Sequence, residues 1–295
     1  MDLAATVLIP TCDHEETLLS SVASALAQTV SNIEIFIVGD GTTARTREIA
    51  AELCNDDRVK FFDYAKGPRN GEIHRNELLK TAKGRIVCYL SDDDLWFPNH
   101  IESMLNQLET ADFASAATLA VESDGQLCVW YCNLSSNYFR PDWHRELVDG
   151  GGFRNPVPLS AGAHRLDSYL KLPFGWRTTP KSMPTDIYMW IQFLEQKNFT
   201  FSSSTVLSVV KFTSTNRKNW TNRQRYEELE RWRHRMQNPE DYTALLEECL
   251  QAAIRSAYRD FDYYEESRIW RLRNLIHKYR ILKNVSKSII RQVLP

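Results

Sequence analysis

Short apolar runs and amphipathic stretches take turns through the first third of the chain. Thr6 to Ile9, Ile33 to Val38, Val59 to Phe62 and Arg85 to Leu90 read as strands. Between them, Glu15 to Gln28 sets Leu18, Leu19, Val22, Ala25 and Leu26 on one helical face, and Thr43 to Leu53 and Glu72 to Ala82 repeat the helical period. Strands separated by such helices predict βαβ units, an α/β fold and a mostly parallel sheet whose ligands lie at the carboxyl ends of the strands. The most polar junctions all follow strands: Pro10 to His14, Gly39 to Thr43, and Ser91 to Asp94.

Beyond Pro98 the alternation loosens. Ala114 to Val121 and Gln126 to Tyr131 predict a hairpin turning near Asp124-Gly125. The glycine- and proline-rich stretch Asp149 to Pro158 predicts a loop, with Gly150 to Gly152 free to close over a ligand. A helix is expected from Ala161 to Leu170, a loop from Leu172 to Thr185, a helix from Asp186 to Gln196, and a strand from Val206 to Phe212. Helix follows from about Asn222 onward. The pattern divides the chain into 1–110, 111–215 and a helical extension, 216–295.

At 43% hydrophobic and 25% charged, the 295-residue chain has the composition of an ordinary soluble globular protein, which excludes collagen-like, low-complexity and disulfide-scaffold classes. Six dispersed cysteines indicate neither a zinc site nor a disulfide framework. The N-terminus has no basic region ahead of an apolar run, so a cytoplasmic protein is expected. The net charge of −2 hides an asymmetry: residues 268–295 hold eight of the 36 Lys+Arg and none of the 38 Asp+Glu. In that tail Ile269, Leu272, Leu275, Ile276, Tyr279, Leu282, Val285 and Ile289 recur at three- and four-residue steps between the bases. Three readings stand for it: a helix packed on the body, an interfacial helix on an anionic membrane, peripheral on the inner face of the plasma membrane, and a nucleic-acid contact. The acidic remainder of the chain would repel phosphates and argues against the third.

Ser91-Asp92-Asp93-Asp94 follows the apolar run Ile86 to Leu90 and precedes Leu95-Trp96-Phe97-Pro98. Three consecutive carboxylates repel one another, and a divalent cation relieves that repulsion; oxygen ligands with room for phosphate suit Mg²⁺ or Mn²⁺. The competing reading is a solvated acidic turn that caps the next helix.

Four segments, Val7-Leu8-Ile9-Pro10-Thr11-Cys12-Asp13, Ile35 to Thr42 with Gly39-Asp40-Gly41, His74-Arg75-Asn76 with Ala82-x-Gly84, and Tyr89 to Pro98, stand in an order and spacing that resembles the family-2 glycosyltransferases of the GT-A fold. The resemblance covers about the first 100 residues. It implies a metal-dependent inverting transferase that moves a sugar from a nucleotide diphosphate sugar to a hydroxyl of a glycan or lipid-linked acceptor, in surface polysaccharide or glycolipid assembly. By the same resemblance 1–110 is the nucleotide-sugar half and 111–215 the acceptor half. Pro10, Thr11 and Cys12 would border the base, Asp40 would contact base and ribose, and Arg75, with Arg69 beside it, would be the basic group near the nucleotide. Asp92 would lie by the ribose, and Asp93, with Asp94, would hold Mn²⁺ or Mg²⁺.

Asp186, ahead of the run Ile187 to Leu194, matches the general base; the alternative is a helix-capping aspartate. His164 and Trp176 are candidates for acceptor contact, though most such side chains pack in cores. Two rival functions remain: a binding module that keeps the sheet without turnover, and a sugar nucleotidyltransferase, whose glycine-rich phosphate loop is missing after the first strand.

Overall fold

The computed structural model describes residues 3–137, 139–149 and 155–265. In chain order the elements are β1 Leu3–Thr11, α1 Glu15–Leu26, β2 Ile33–Asp40, α2 Ala44–Leu53, β3 Val59–Tyr64, α3 Glu72–Leu79, β4 Gly84–Tyr89, β5 Leu95–Trp96, α4 His100–Gln107, β6 Phe113–Val121 and β7 Leu127–Trp130. They continue with α5 Phe139–Asp149, β8 Gly162–Arg165, α6 Leu166–Tyr169, α7 Thr185–Leu194, β9 Phe201–Phe212, α8 Asn222–Gln237 and α9 Pro239–Glu265.

Among the described residues nine strands form one sheet in the order β3-β2-β1-β4-β8-β6-β9-β5, with β7 paired to β6. The first four are parallel, as the βαβ pattern predicts. Beyond β4 the sheet is mixed: β8 runs antiparallel to β4 and β6, β9 parallel to β6, and β5 antiparallel to β9. Helices cover both faces, so the strands alternate between two cores. Val7, Ile9, Ile35, Ile37 and Cys88 pack with Leu18, Val22 and Ala25 of α1 and Ile49 of α2. Leu8, Phe36, Val38, Val87 and Tyr89 pack on the other side with Leu78 and Leu79 of α3 and Ile187, Trp190 and Phe193 of α7.

The helix expected from Ala161 to Leu170 is corrected. Gly162–Arg165 is a strand wedged between β4 and β6, and only Leu166–Tyr169 is helical. Pairing on both edges overrides the helical tendency of this short apolar stretch. Gly162 belongs there because a Cβ would meet the Trp190 ring at 2.7 Å. The hairpin forms as expected, with Gly125 at φ 84 in its turn. Gly150 to Gly152 and the tail 268–295 lie outside the described residues.

A third core joins β5, β6 and β9 to Leu229, Trp232 and Met236 of α8 and Leu245 and Cys249 of α9. A capping box at Thr221 and Gln224 starts α8. Arg217 ties it down: its guanidinium donates through Nε and Nη2 to both carboxylate oxygens of Glu228 at 2.6 Å, and through Nη1 to the Val121 carbonyl at 3.0 Å. Both side chains are almost fully enclosed. Glu228→Ala strands a buried guanidinium and is expected to cost about 3–5 kcal/mol, read as a lowered urea midpoint.

Candidate active site

The parallel strand order 3-2-1-4 opens a crevice at the carboxyl ends of β1, β2 and β4, the place where α/β sheets bind ligands. Each polar junction singled out in the sequence arrives there. At the end of β2, Asp40 is buried, accepts from the Gly67 amide at 2.5 Å and from Lys66 Nζ, and lies 3.7 Å from His74 Nε2. Gly71 sits at φ +69, and a Cβ there would meet Asp40 Cβ at 2.8 Å; glycine lets the chain fold against this carboxylate. Pro10 and Thr11 end β1, in register with Val38 and Gly39 of β2. Cys12 Sγ donates to the Gly41 carbonyl at 3.8 Å.

The acidic box turns off β4, and its three carboxylates face different partners. Asp92 accepts from His14 Nδ1 at 2.8 Å. The Asp92 charge and this hydrogen bond push the His14 imidazole up to about 10. Burial and the charge of Asp94 push Asp93 up to about 6, the mark of a carboxyl crowded by its neighbours. Ligand atoms of His14, Asp92 and Asp93 lie within 4.8 Å of one another, close enough to share one cation.

Asp94 points inward. Fully buried, it accepts from Ser160 Oγ at 2.6 Å, from the Phe212 amide at 3.1 Å and from Lys211 Nζ at 3.3 Å. Its oxygens thereby pin the box to β9 and to the turn before β8.

Asp186 lies in the first turn of α7, half-buried. It accepts from Asn155 Nδ2 at 2.6 Å and from the Ile187 amide at 2.9 Å. Burial raises its carboxyl above the ordinary range, opposed by the Ile187 amide, Lys211 and Asn155. Lys211, bonded to Asp94, acts electrostatically on both the base candidate and the box. Burial draws its ammonium down, but Asp94, Asp93 and Asp186, in that order, hold it above the usual lysine value.

Arg75, fully buried, donates to the Asn70 carbonyl and lies 4.8 Å over the Trp176 ring; Glu72, Tyr89, Asp40 and Asp186 all act on its charge, although burial lowers its pKa. Arg69 reaches the Met183 carbonyl at 3.4 Å. Three buried polar atoms on these segments, Thr11 Oγ1, Arg69 Nε and Arg75 Nε, make no hydrogen bond.

His164 and Trp176 lie behind this layer, enclosed in the second core. His164 Nδ1 faces the Arg165 carbonyl at 2.9 Å and must therefore carry a proton. Burial drops this imidazole to about 4, so Nε2 is an acceptor and takes the Tyr89 hydroxyl proton at 2.7 Å; the same hydroxyl accepts from Trp176 Nε1 at 2.9 Å. Neither side chain has a surface open to an acceptor.

Several residues of the site were not singled out in the sequence. Lys66 and Gly67 follow β3 in the same way that the other polar junctions follow their strands, and that rule would have found them. Lys211 interrupts an apolar strand, which is itself a signal, because lysine is rarely buried unless paired. Asn155 and Ser160 carry no signal, since only the tertiary fold brings them to Asp186 and Asp94.

Residues 6–151 match the family described as Glycosyl transferase family 2. The UDP-Glc:α-D-GlcNAc-diphosphoundecaprenol β-1,3-glucosyltransferases WfgD and WfaP of Escherichia coli are 32% identical over 109 residues and 34% over 121 residues, covering 36% and 40% of this chain. The chain spans 42% and 47% of those relatives' length. Among solved structures, Staphylococcus aureus TarS 1–349 with UDP-GlcNAc superposes with a TM-score of 0.54 at 16% identity, covering 72% of this chain and 59% of that one. TarS 1–349 without that ligand superposes at 0.53 and 14% identity, over 97% of this chain and 71% of its own. Through residues 6–151 and the sheet that carries them, the chain belongs to the family-2 glycosyltransferases of the GT-A fold.

Proposed function

We propose that this chain is an inverting, metal-dependent glycosyltransferase that moves a sugar from a nucleotide diphosphate sugar to a hydroxyl of a lipid-linked glycan. The observation that carries the reading is the convergence of Asp40, Asp92, Asp93 and Asp186 on one crevice, joined through Lys211 and Arg75. WfgD and WfaP are named for UDP-Glc as donor and GlcNAc-diphosphoundecaprenol as acceptor, and TarS is solved with UDP-GlcNAc; these favour a UDP-sugar and a polyprenyl diphosphate acceptor here.

Asp40 takes the base and ribose end of the donor, bordered by Pro10, Thr11 and Cys12, and Asp92 lies by the ribose. The unpartnered Thr11 Oγ1, Arg69 Nε and Arg75 Nε are polar groups that a nucleotide can satisfy. Asp93 and Asp92 form a donor set that fits Mn²⁺ or Mg²⁺, two hard carboxylates with oxygens close together; His14, whose Nδ1 donates to Asp92, would join them only by giving up that proton. When bound, the cation stabilises negative charge on the departing diphosphate.

Asp186 takes the proton of the acceptor hydroxyl while that oxygen bonds to the anomeric carbon and the bond to the diphosphate oxygen breaks on the opposite face. One displacement inverts the anomeric centre, and the nucleoside diphosphate leaves with the electron pair. Asn155 and the Ile187 amide hold the Asp186 carboxylate in place for that transfer.

No described helix is long and apolar enough to cross a membrane. Residues 268–295, with their amphipathic pattern of bases, are the proposed contact with an anionic membrane surface that carries the acceptor. With Mn²⁺, a panel of UDP- and GDP-sugars and a GlcNAc-diphosphate lipid, nucleoside diphosphate release is expected with at least one donor. No release and no donor binding across the panel would overturn the enzyme reading.

A further inference from the structure

A positive charge beside a candidate cation site needs an explanation. Lys211 projects from β9, its side chain mostly enclosed, with Nζ 3.3 Å from Asp94 Oδ2. Its charge is felt by Asp93, the carboxylate facing the crevice, and by Asp186, the base across it. Three carboxylates from two separate segments therefore share one fixed ammonium.

A divalent cation arriving at Asp93 meets this ammonium. At effective dielectrics near 20, like charges several ångströms apart repel enough to move an equilibrium by an order of magnitude or more. Lys211 thus does two opposing things: it keeps the carboxylate trio folded together without a metal, and it weakens the site's hold on a free metal. A diphosphate adds negative charge and oxygen ligands, and reverses the balance.

We propose that Lys211 is a positioning residue, an internal counterion to Asp93, Asp94 and Asp186 that makes divalent-cation binding conditional on the nucleotide diphosphate. This rests on the reading of the crevice as a nucleotide-sugar site. Under it, the Asp93 carboxylate would hold a cation firmly only while a nucleotide diphosphate occupies the crevice.

The test is the Mn²⁺ affinity of the full chain, read from the electron paramagnetic resonance signal of free Mn²⁺, with and without UDP or GDP. The native chain is expected to bind Mn²⁺ at least about tenfold more tightly when the nucleotide is present. Lys211→Met and Lys211→Gln are expected to bind Mn²⁺ about tenfold more tightly than the native chain with no nucleotide present, and Lys211→Arg to behave as native. The direction is diagnostic, because a lysine that merely held the fold would, when lost, loosen the site and weaken Mn²⁺ binding. Near-ultraviolet circular dichroism identifies variants that keep the fold, and the native measurement needs none. Equal or weaker nucleotide-free Mn²⁺ affinity in folded Lys211→Met or Lys211→Gln overturns the proposal, as does native Mn²⁺ binding that UDP and GDP leave unchanged. If neither nucleotide binds the native chain at any Mn²⁺ concentration, the reading of the crevice falls as well. That outcome is told apart because nucleotide binding is followed separately by calorimetry.

Discussion

Asp186→Asn is expected to leave donor affinity within about twofold of the native value while turnover falls by about 10²–10⁴-fold, the usual contribution of a positioned general base. The substitution is nearly isosteric, and the Ile187 amide can still donate to the remaining oxygen. What is lost is a group able to accept the acceptor's proton. Single-turnover rates with donor and acceptor in excess, set beside calorimetric donor affinity, separate the two effects; near-native turnover would place the base elsewhere.

The same carboxyl predicts a pH dependence. Because burial raises it, protonation removes the base at a higher pH than for an ordinary aspartate, so the acidic limb of the turnover profile lies above the ordinary carboxylate range. Asn155 donates to the ionised form and opposes that rise. Asn155→Ala should therefore move the limb further toward neutral pH, and an unmoved limb would mean that Asp186 does not control it.

Asp93→Ala is expected to abolish the gain in donor affinity that Mn²⁺ confers, a loss of at least about 10²-fold at saturating cation. Asp94→Asn should act differently, since Asp94 points to Ser160, Lys211 and the Phe212 amide. Its expected signature is lowered stability, with buried donors left short of a charged acceptor, whereas Asp93→Ala should keep the native melting temperature. Thermal melts and Mn²⁺-dependent UDP binding on both variants check the contrast. Intact Mn²⁺-supported affinity in Asp93→Ala would remove Asp93 from the cation site.

The parallel half of the fold was legible because each strand there is a contiguous apolar run with a helix of clear period behind it. The box was legible because three adjacent carboxylates between an apolar strand and Leu-Trp-Phe-Pro are unusual in any context. Gly162–Arg165 was not, since four residues without alternation become a strand only when β4 and β6 flank them on both sides. Asp94 illustrates the other limit. Its neighbours in sequence are site residues, yet its own side chain turns toward groups 66 to 118 positions away, a choice made by tertiary contacts. His164 and Trp176 bear the residue types that bind sugars, but Tyr89 satisfies both of them within the core.

The pinning of Asp94 also orders events in time. Strands β1 to β4 are complete by Tyr89 and pair through short-range crossovers, whereas Phe212 and Lys211 are the last residues of the sheet to be made. During synthesis, the parallel half can consolidate while the acidic box still lacks the strand that anchors it, because contacts of such sequence separation close late. A nascent chain that ends before β9 would thus carry every residue of the box and none of the strand that sets its shape. The box takes its shape only when β9 is laid down between β6 and the edge strand β5, so the last strand made is the one that completes it.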